Sequence, residues 1–83
     1  MLYLNLQGDD LILCQIMSKG IRDRYSISLY NQDFNDGALS QDSNIRPNKL
    51  FTADERIISY KIGSLNKDKI DKVIEAIVNI LKN

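Results

Sequence analysis

The sequence contains no histidine, one cysteine and one proline, and its eleven basic side chains are cancelled by eleven acidic ones. The missing histidine excludes Ser-His-Asp and Cys-His catalysis, together with the usual zinc ligand sets. Acid–base chemistry is left to Asp, Glu, Lys, Arg, Tyr or a hydroxyl. A lone cysteine, Cys14, excludes an internal disulfide, and its place in an apolar run reads as a buried structural thiol in a reducing compartment. No stretch reaches the roughly 18 apolar residues that span a bilayer. The apolar run LILCQIM is too short for a secretory leader and follows Asp9 and Asp10. The expectation is a cytoplasmic protein without membrane contact. No Gly-rich phosphate loop and no metal-ligand spacing occur, so neither cofactor nor metal is expected.

What is present describes one small domain over residues 1–83. With 43% hydrophobic and 27% charged residues, the chain is not disordered. At this length folding buries only about 60–65% of the exposed surface, so stability is modest and dimerisation is a common remedy. The charge is unevenly spread: residues 1–45 hold three basic and six acidic side chains, and residues 46–83 hold eight basic and five acidic. A solvated face on the final helix, with Lys67, Lys69, Lys72 and Lys82, accounts for much of this.

The pattern over about 2–62 is that of strands. LYLNL alternates, LILCQIM is apolar on both faces as in a covered central strand, and YSISLY alternates Tyr25, Ile27 and Leu29 against Ser26, Ser28 and Tyr30. A turn at Gln7–Asp10 uses Gly8. Residues 31–42 are rich in turn formers and predict a loop, with one helical turn around Asp33 to Asp36. SNIRP and NKLFT follow as short extended pieces, with Pro47 marking an edge or a bend. Ile57 to Ile62 reads as another strand, ended by Gly63. A helix over about 67–82 is well signalled: Asn66 is its N-cap, Leu65 and Ile70 form a hydrophobic staple, and Asp68 and Lys82 match its dipole. Ile70, Val73, Ile74, Ile77 and Leu81 make its apolar face, which Val78 and Ile80 widen. Either core packing or a partner chain covers that surface. The fold class is mainly β with a C-terminal helix, a small curled sheet or partial barrel.

Two segments bear on chemistry. In QIMSKGIRDR a strand runs into Ser18 and then Lys19, Arg22 and Arg24, with Gly20 allowing a turn. In Ser43 to Lys49, Arg46 and Lys49 flank Pro47. Arginine suits phosphate because its fork donates two hydrogen bonds at once. On spacing alone, each segment is either an anion site or an ordinary hairpin connection. The adjacent carboxylates Asp9-Asp10 and Asp54-Glu55 sit at predicted turns and read as solvated.

The run SNIRPNKLFTAD, followed by IISYKIGSLNKDKIDKVI, resembles the C-terminal half of the PemK/MazF family of toxins from bacterial toxin–antitoxin pairs. DDLILCQIMSK is similar to that family's second core block, an apolar strand ending in a hydroxyl residue and then a basic one. The resemblance covers about residues 9–81. It implies an SH3-like barrel with a C-terminal helix, homodimers, a cognate antitoxin, and metal-independent cleavage of single-stranded RNA through attack of the ribose 2′-OH on the adjacent phosphate. Arg or backbone donors would stabilise the charge that develops there.

Two departures from the family pattern follow. The family's Arg-Pro pair and the hairpin before it have no counterpart, which implies a partial barrel, incomplete at the N-terminus, in a truncated member. The family's catalytic threonine falls at Met17, whose thioether cannot donate a proton. Ser18 is the remaining catalytic candidate, although neighbours on a strand face opposite ways. Lys19, Arg22, Arg24, Arg46 and Lys49 are the candidate RNA-binding residues. The expected function is a toxin-lineage protein with reduced or no cleavage. The alternatives are an active endoribonuclease using Ser18, Lys19 and Arg46, or a non-enzymatic dimerisation module.

Overall fold

The computed structural model describes residues 2–7, 10–18, 23–54, 56 and 63–83, and of 3–7 and 10 the backbone alone. Strands β1 (Leu2–Gln7), β2 (Asp10–Ser18), β3 (Ile27–Leu29) and β5 (Ser43–Asp54) form a sheet in the order β1-β2-β5-β3, with every neighbouring pair antiparallel. Strands β4 (Phe34–Gly37) and β6 (Gly63–Leu65) make a separate two-stranded ladder. Helix α1 (Lys67–Lys82) closes the chain. The architecture is thus mainly β with one C-terminal helix, and the two described sheets do not close into a barrel. No helix among the described residues is long and apolar enough to cross a membrane.

The longest ladder joins β2 to β5. SNIRP and NKLFT, expected as two pieces, are one twelve-residue strand. Its register runs Ser18↔Ser43 to Gln15↔Arg46, then jumps, so that Cys14 faces Leu50. Pro47 sits at the jump because it has no N–H to give the ladder, and the chain bulges over 47–49. Pro47 is itself almost fully buried. The Arg46 carbonyl at this break accepts a hydrogen bond from the Cys14 thiol at 3.0 Å.

The core is where α1 crosses this sheet. Cys14, Leu29, Ile45 and Val73 are fully buried together, with Ile16, Ile27, Phe34 and Ile77 packed around them. Register assigns Cys14, Ile16, Ile45, Ile27 and Leu29 to one face. Leu11 and Leu13, on the opposite face of β2, are buried as well, so that strand is apolar inward on both sides. Ile12, 39% exposed, departs from full coverage.

Local chemistry corrects three expectations. YSISLY is a strand only over Ile27–Leu29, because Asp23 captures Tyr25 N–H and the Ser26 hydroxyl and turns the chain over 23–26. The expected helical turn is a turn of 3-10 helix at Asn31–Asp33, not over 33–36. Phe34–Gly37 is strand β4, formed despite the poor β propensity of Asn, Asp and Gly. Its partner β6 holds it, and Phe34 packs on the core. Gly63 is the first residue of β6, and a Cβ there would collide with the Asp36 carbonyl and lie 2.8 Å from Gly37 Cα. Gly37, at φ 85°, occupies the region that L side chains avoid. The expected turn at Gly8 and the expected strand Ile57–Ile62 lie outside the described residues.

Helix α1 begins as its N-cap dictates. The Asn66 side chain accepts a hydrogen bond from Lys69 N–H at 2.9 Å. The Asn66 N–H in turn donates to the Asp33 carbonyl at 2.8 Å. Of the expected apolar face, Val73 is buried and Ile77 packs on the core, whereas Ile74, Val78 and Leu81 remain exposed. The helix therefore rests on the sheet along one side of its apolar surface and leaves the other uncovered by the described residues.

Candidate anion-binding face

Over residues 15–18 and 43–46 the β2–β5 ladder is regular, so side chains alternate strictly between faces. Gln15 and Met17 share a face with Asn44 and Arg46. Ile16 and Ser18 share the opposite, core-bearing face with Ser43 and Ile45. Met17 stands directly across from Asn44, one alternation from Arg46. Ser18 is exposed at the strand end, about 10 Å along the strand from Gln15 and on the other face. The hydroxyl that sequence reasoning offered as a catalytic substitute is thus not brought to the arginine.

Arg46 is engaged on several sides. Its Nη1 donates to Gln15 Oε1 at 3.2 Å and its Nη2 to Asp23 Oδ2 at 3.0 Å. Its Nε is buried with no acceptor among the described residues. Asn48, in the bulge that Pro47 creates, donates its amide to the same Asp23 Oδ2 at 3.3 Å. Asp23 Oδ1 takes the other two donors, Tyr25 N–H at 2.9 Å and Ser26 Oγ at 3.2 Å. Ser26 Oγ also accepts from Asp23 N–H at 3.0 Å, and Ser26 N–H donates to the Asp23 carbonyl at 3.2 Å, completing a tight turn. The Arg46 guanidinium, followed by the Tyr25 N–H, holds the Asp23 carboxyl down at about 2. At neutral pH it is an anion gripped by four donors.

The remaining cations are distributed around this centre. Arg24, next to Asp23, is exposed; its guanidinium lies 4.8 Å from the centre of the Tyr25 ring and its Nη2 donates to the Tyr25 hydroxyl at 2.9 Å. Lys49, next to Asn48, is exposed on the bulge. The Asp23 carboxylate therefore ties together the turn that carries Arg24 and the bulge that carries Lys49. Lys19 and Arg22 lie outside the described residues. Cys14 takes no part on this face: burial pushes its thiol up to about 11.

The sequence reading named Arg24, Arg46 and Lys49 but missed Gln15, Asp23 and Asn48. A signal for Asp23 was present: Asp-x-x-Ser, Asp23 to Ser26, is the pattern of a side-chain-stabilised turn. Nothing local in the sequence announces that this turn folds against Arg46 and Asn48.

Chemically, the arrangement concentrates donors for one oxyanion. Among the described residues its charged acceptor is Asp23, which already takes four donors, and Met17 can neither donate nor accept a proton usefully. Among the described residues, no group of three or more Cys, Asp and Glu side chains is placed to hold a metal ion. No family model matches the chain, and no curated protein matches it.

Proposed function

We propose that this chain is a PemK/MazF-like toxin-lineage protein that binds single-stranded RNA, or a cognate antitoxin competing for the same surface, and cleaves RNA poorly or not at all. The reading rests on its resemblance to that family in the two blocks that form β2 and β5. The observation that carries the loss of cleavage is the division of faces: Met17 shares the face of Arg46, and Ser18 stands on the other. On its face of the ladder Arg46 has Met17 where a hydroxyl is needed, and the nearby Ser26 hydroxyl is spent on Asp23, so the arginine can hold a phosphate but has no group beside it to move the protons of a 2′-OH attack. The same division weighs against an active enzyme built on Ser18, Lys19 and Arg46.

The test is incubation of an end-labelled, mixed-sequence single-stranded RNA with the folded chain in EDTA, beside a Met17→Thr variant. A silent wild type whose Arg46→Ala variant loses salt-dependent RNA binding is the expected result. Sequence-specific fragments from the wild type would show that Ser18 suffices and overturn the reading. Activity gained in Met17→Thr would identify the methionine as the lesion.

A second reading, a non-enzymatic dimerisation module, is favoured by the exposed stripe Ile74, Val78 and Leu81 on α1. Asp71 and Glu75 flank its N-terminal part and Lys82 its C-terminal part. An antiparallel copy of the helix would set each Lys82 against the partner's acidic end, the self-complementarity that a two-fold interface requires. Sedimentation equilibrium of a Val78→Asp variant tests it: a dimer that becomes a monomer, with no RNA binding in either form, would favour the module over the RNA reading.

A further inference from the structure

We propose that Arg46 Nη2 and Asn48 Nδ2 form an oxyanion site for one phosphate group, and that the chain fills it with its own anion, the Asp23 carboxylate. Both donors converge on Asp23 Oδ2, at 3.0 and 3.3 Å. A guanidinium and an amide on one anionic oxygen is the contact set that a phosphate oxygen also accepts. Arg46 keeps a buried Nε with no partner among the described residues, so its fork is not exhausted by Asp23 and Gln15. Asp23 is positioned independently of Arg46, because its Oδ1 is anchored by Tyr25 N–H and Ser26 Oγ inside its own turn. The carboxylate therefore stands in the site whether or not a ligand is present. An incoming phosphate must take the Oδ2 contacts and tolerate a neighbouring negative charge.

Asp23 thus acts as an internal competitor. The inference rests on the RNA reading only for its choice of ligand, a backbone phosphodiester; the site itself would serve free phosphate equally well. With Arg24 and Lys49 exposed on the two segments that Asp23 joins, a strand of RNA displacing the carboxylate would meet a cation on each side.

The informative variant is Asp23→Asn. An asparagine keeps an oxygen for the Tyr25 and Ser26 donors, so the turn persists, while its amide presents a donor to Arg46 and releases the guanidinium. Two probes are titrated against wild type, Asp23→Asn and the double variant Asp23→Asn/Arg46→Ala: inorganic phosphate, and a short labelled oligouridylate at low and at physiological salt. Circular dichroism confirms folding. The expected outcome is phosphate binding about tenfold or more tighter in Asp23→Asn than in wild type, and its loss in the double variant. Oligouridylate affinity should rise in parallel. Phosphate affinity that rises while oligouridylate is not bound by any form would leave the oxyanion site standing and remove RNA as its ligand. RNA binding that depends on Arg46, with no gain in phosphate affinity in Asp23→Asn, would overturn the competitor role and leave the RNA reading intact. Should the asparagine variant not fold, Asp23→Ser, whose hydroxyl also supports the turn, answers the same question by the same criterion.

Discussion

Among the described residues, two aspartate–cation pairs join distant segments, and they differ in what they leave exposed. Asp33 meets Lys69 at 3.3 Å where the 3-10 turn reaches α1, and both side chains are nearly covered, 14% and 13% exposed. Asp23 meets Arg46 at 3.0 Å beside the bulge of β5, with 32% and 19% exposed. Further polar contacts tie the first pair into the fold. Lys69 Nζ also donates to the Ser28 carbonyl at 2.9 Å, Asp33 Oδ2 accepts Tyr30 N–H at 2.9 Å, and the Asp33 carbonyl receives the N–H of the helix cap Asn66. That pair fastens β3, the 3-10 turn and the start of α1. Around the second, exposed Arg24 and Lys49 sit beside the paired residues and Arg46 keeps a spare donor. Similar charges therefore serve architecture in one place and leave cations exposed in the other, where we propose a ligand surface. Burial and the surrounding contacts make the difference.

The largest expected effect comes from breaking the covered pair. Lys69→Met preserves the apolar stem but leaves Asp33 without its cation and the Ser28 carbonyl without its donor. Removing one partner of a covered pair costs about 3 kcal/mol, because the remaining charge stays buried and uncompensated. For a domain of this size that lowers the melting temperature by about 10–20 °C, to be read by thermal denaturation at neutral pH. A change of only a degree or two would mean that Asp33 and Lys69 are solvated, and the distinction between the two pairs would fail.

How much of this could be read from the sequence divides along the same line. The helix was legible because its signals are local: Asn66 caps Lys69, and the spacing of Val73 and Ile77 carries them to the core. Strand β2 was legible for the same reason, since a run of apolar residues has one favourable use. Asp33 was not, because its role depends on residues 30, 66 and 69 meeting in space. Strand β4 was hidden by turn-forming residues, which only the ladder with Gly63 to Leu65 holds extended. On the candidate face, the cations Arg24, Arg46 and Lys49 stood out by type. The anion that organises them did not, since an aspartate in a loop is ordinarily solvated and its partner lies 23 positions away. The alternation that separates Ser18 from Met17 follows from strand geometry alone, and the ladder has that register.

A smaller effect is expected from titrating the open pair. The Asp23 carboxyl lies at about 2, below the ordinary 3.8, chiefly through Arg46 and next through the Tyr25 N–H, with Asn48 and Ser26 assisting. The folded chain thus binds this proton more weakly than the unfolded chain. The stabilisation from Asp23 is complete above pH 4 and is lost as pH falls through 4 towards about 2. Denaturant midpoints measured across that window should fall in wild type, and that fall should be shallower in Asp23→Asn. Equal slopes in both proteins would mean that other carboxyls set the acid limit and that Asp23 is not held by Arg46 in solution.

The smallest effect sharpens the comparison on a single helix. Lys67, two residues before Lys69, pairs with Asp71 at 2.7 Å, a shorter distance than the covered pair has. Its side chain is 86% exposed and that of Asp71 56%. If distance governed stability, Lys67→Ala would be the more damaging substitution. Exposure argues the reverse: water and salt screen this contact, two mobile side chains must be ordered to make it, and water replaces it when it breaks. Lys67→Ala should therefore leave the melting temperature almost unchanged at physiological salt, and any difference seen at low salt should vanish as salt is added. A loss rivalling that of Lys69→Met would place the stability of α1 in its surface charges instead of in the covered contact with Asp33 and Ser28.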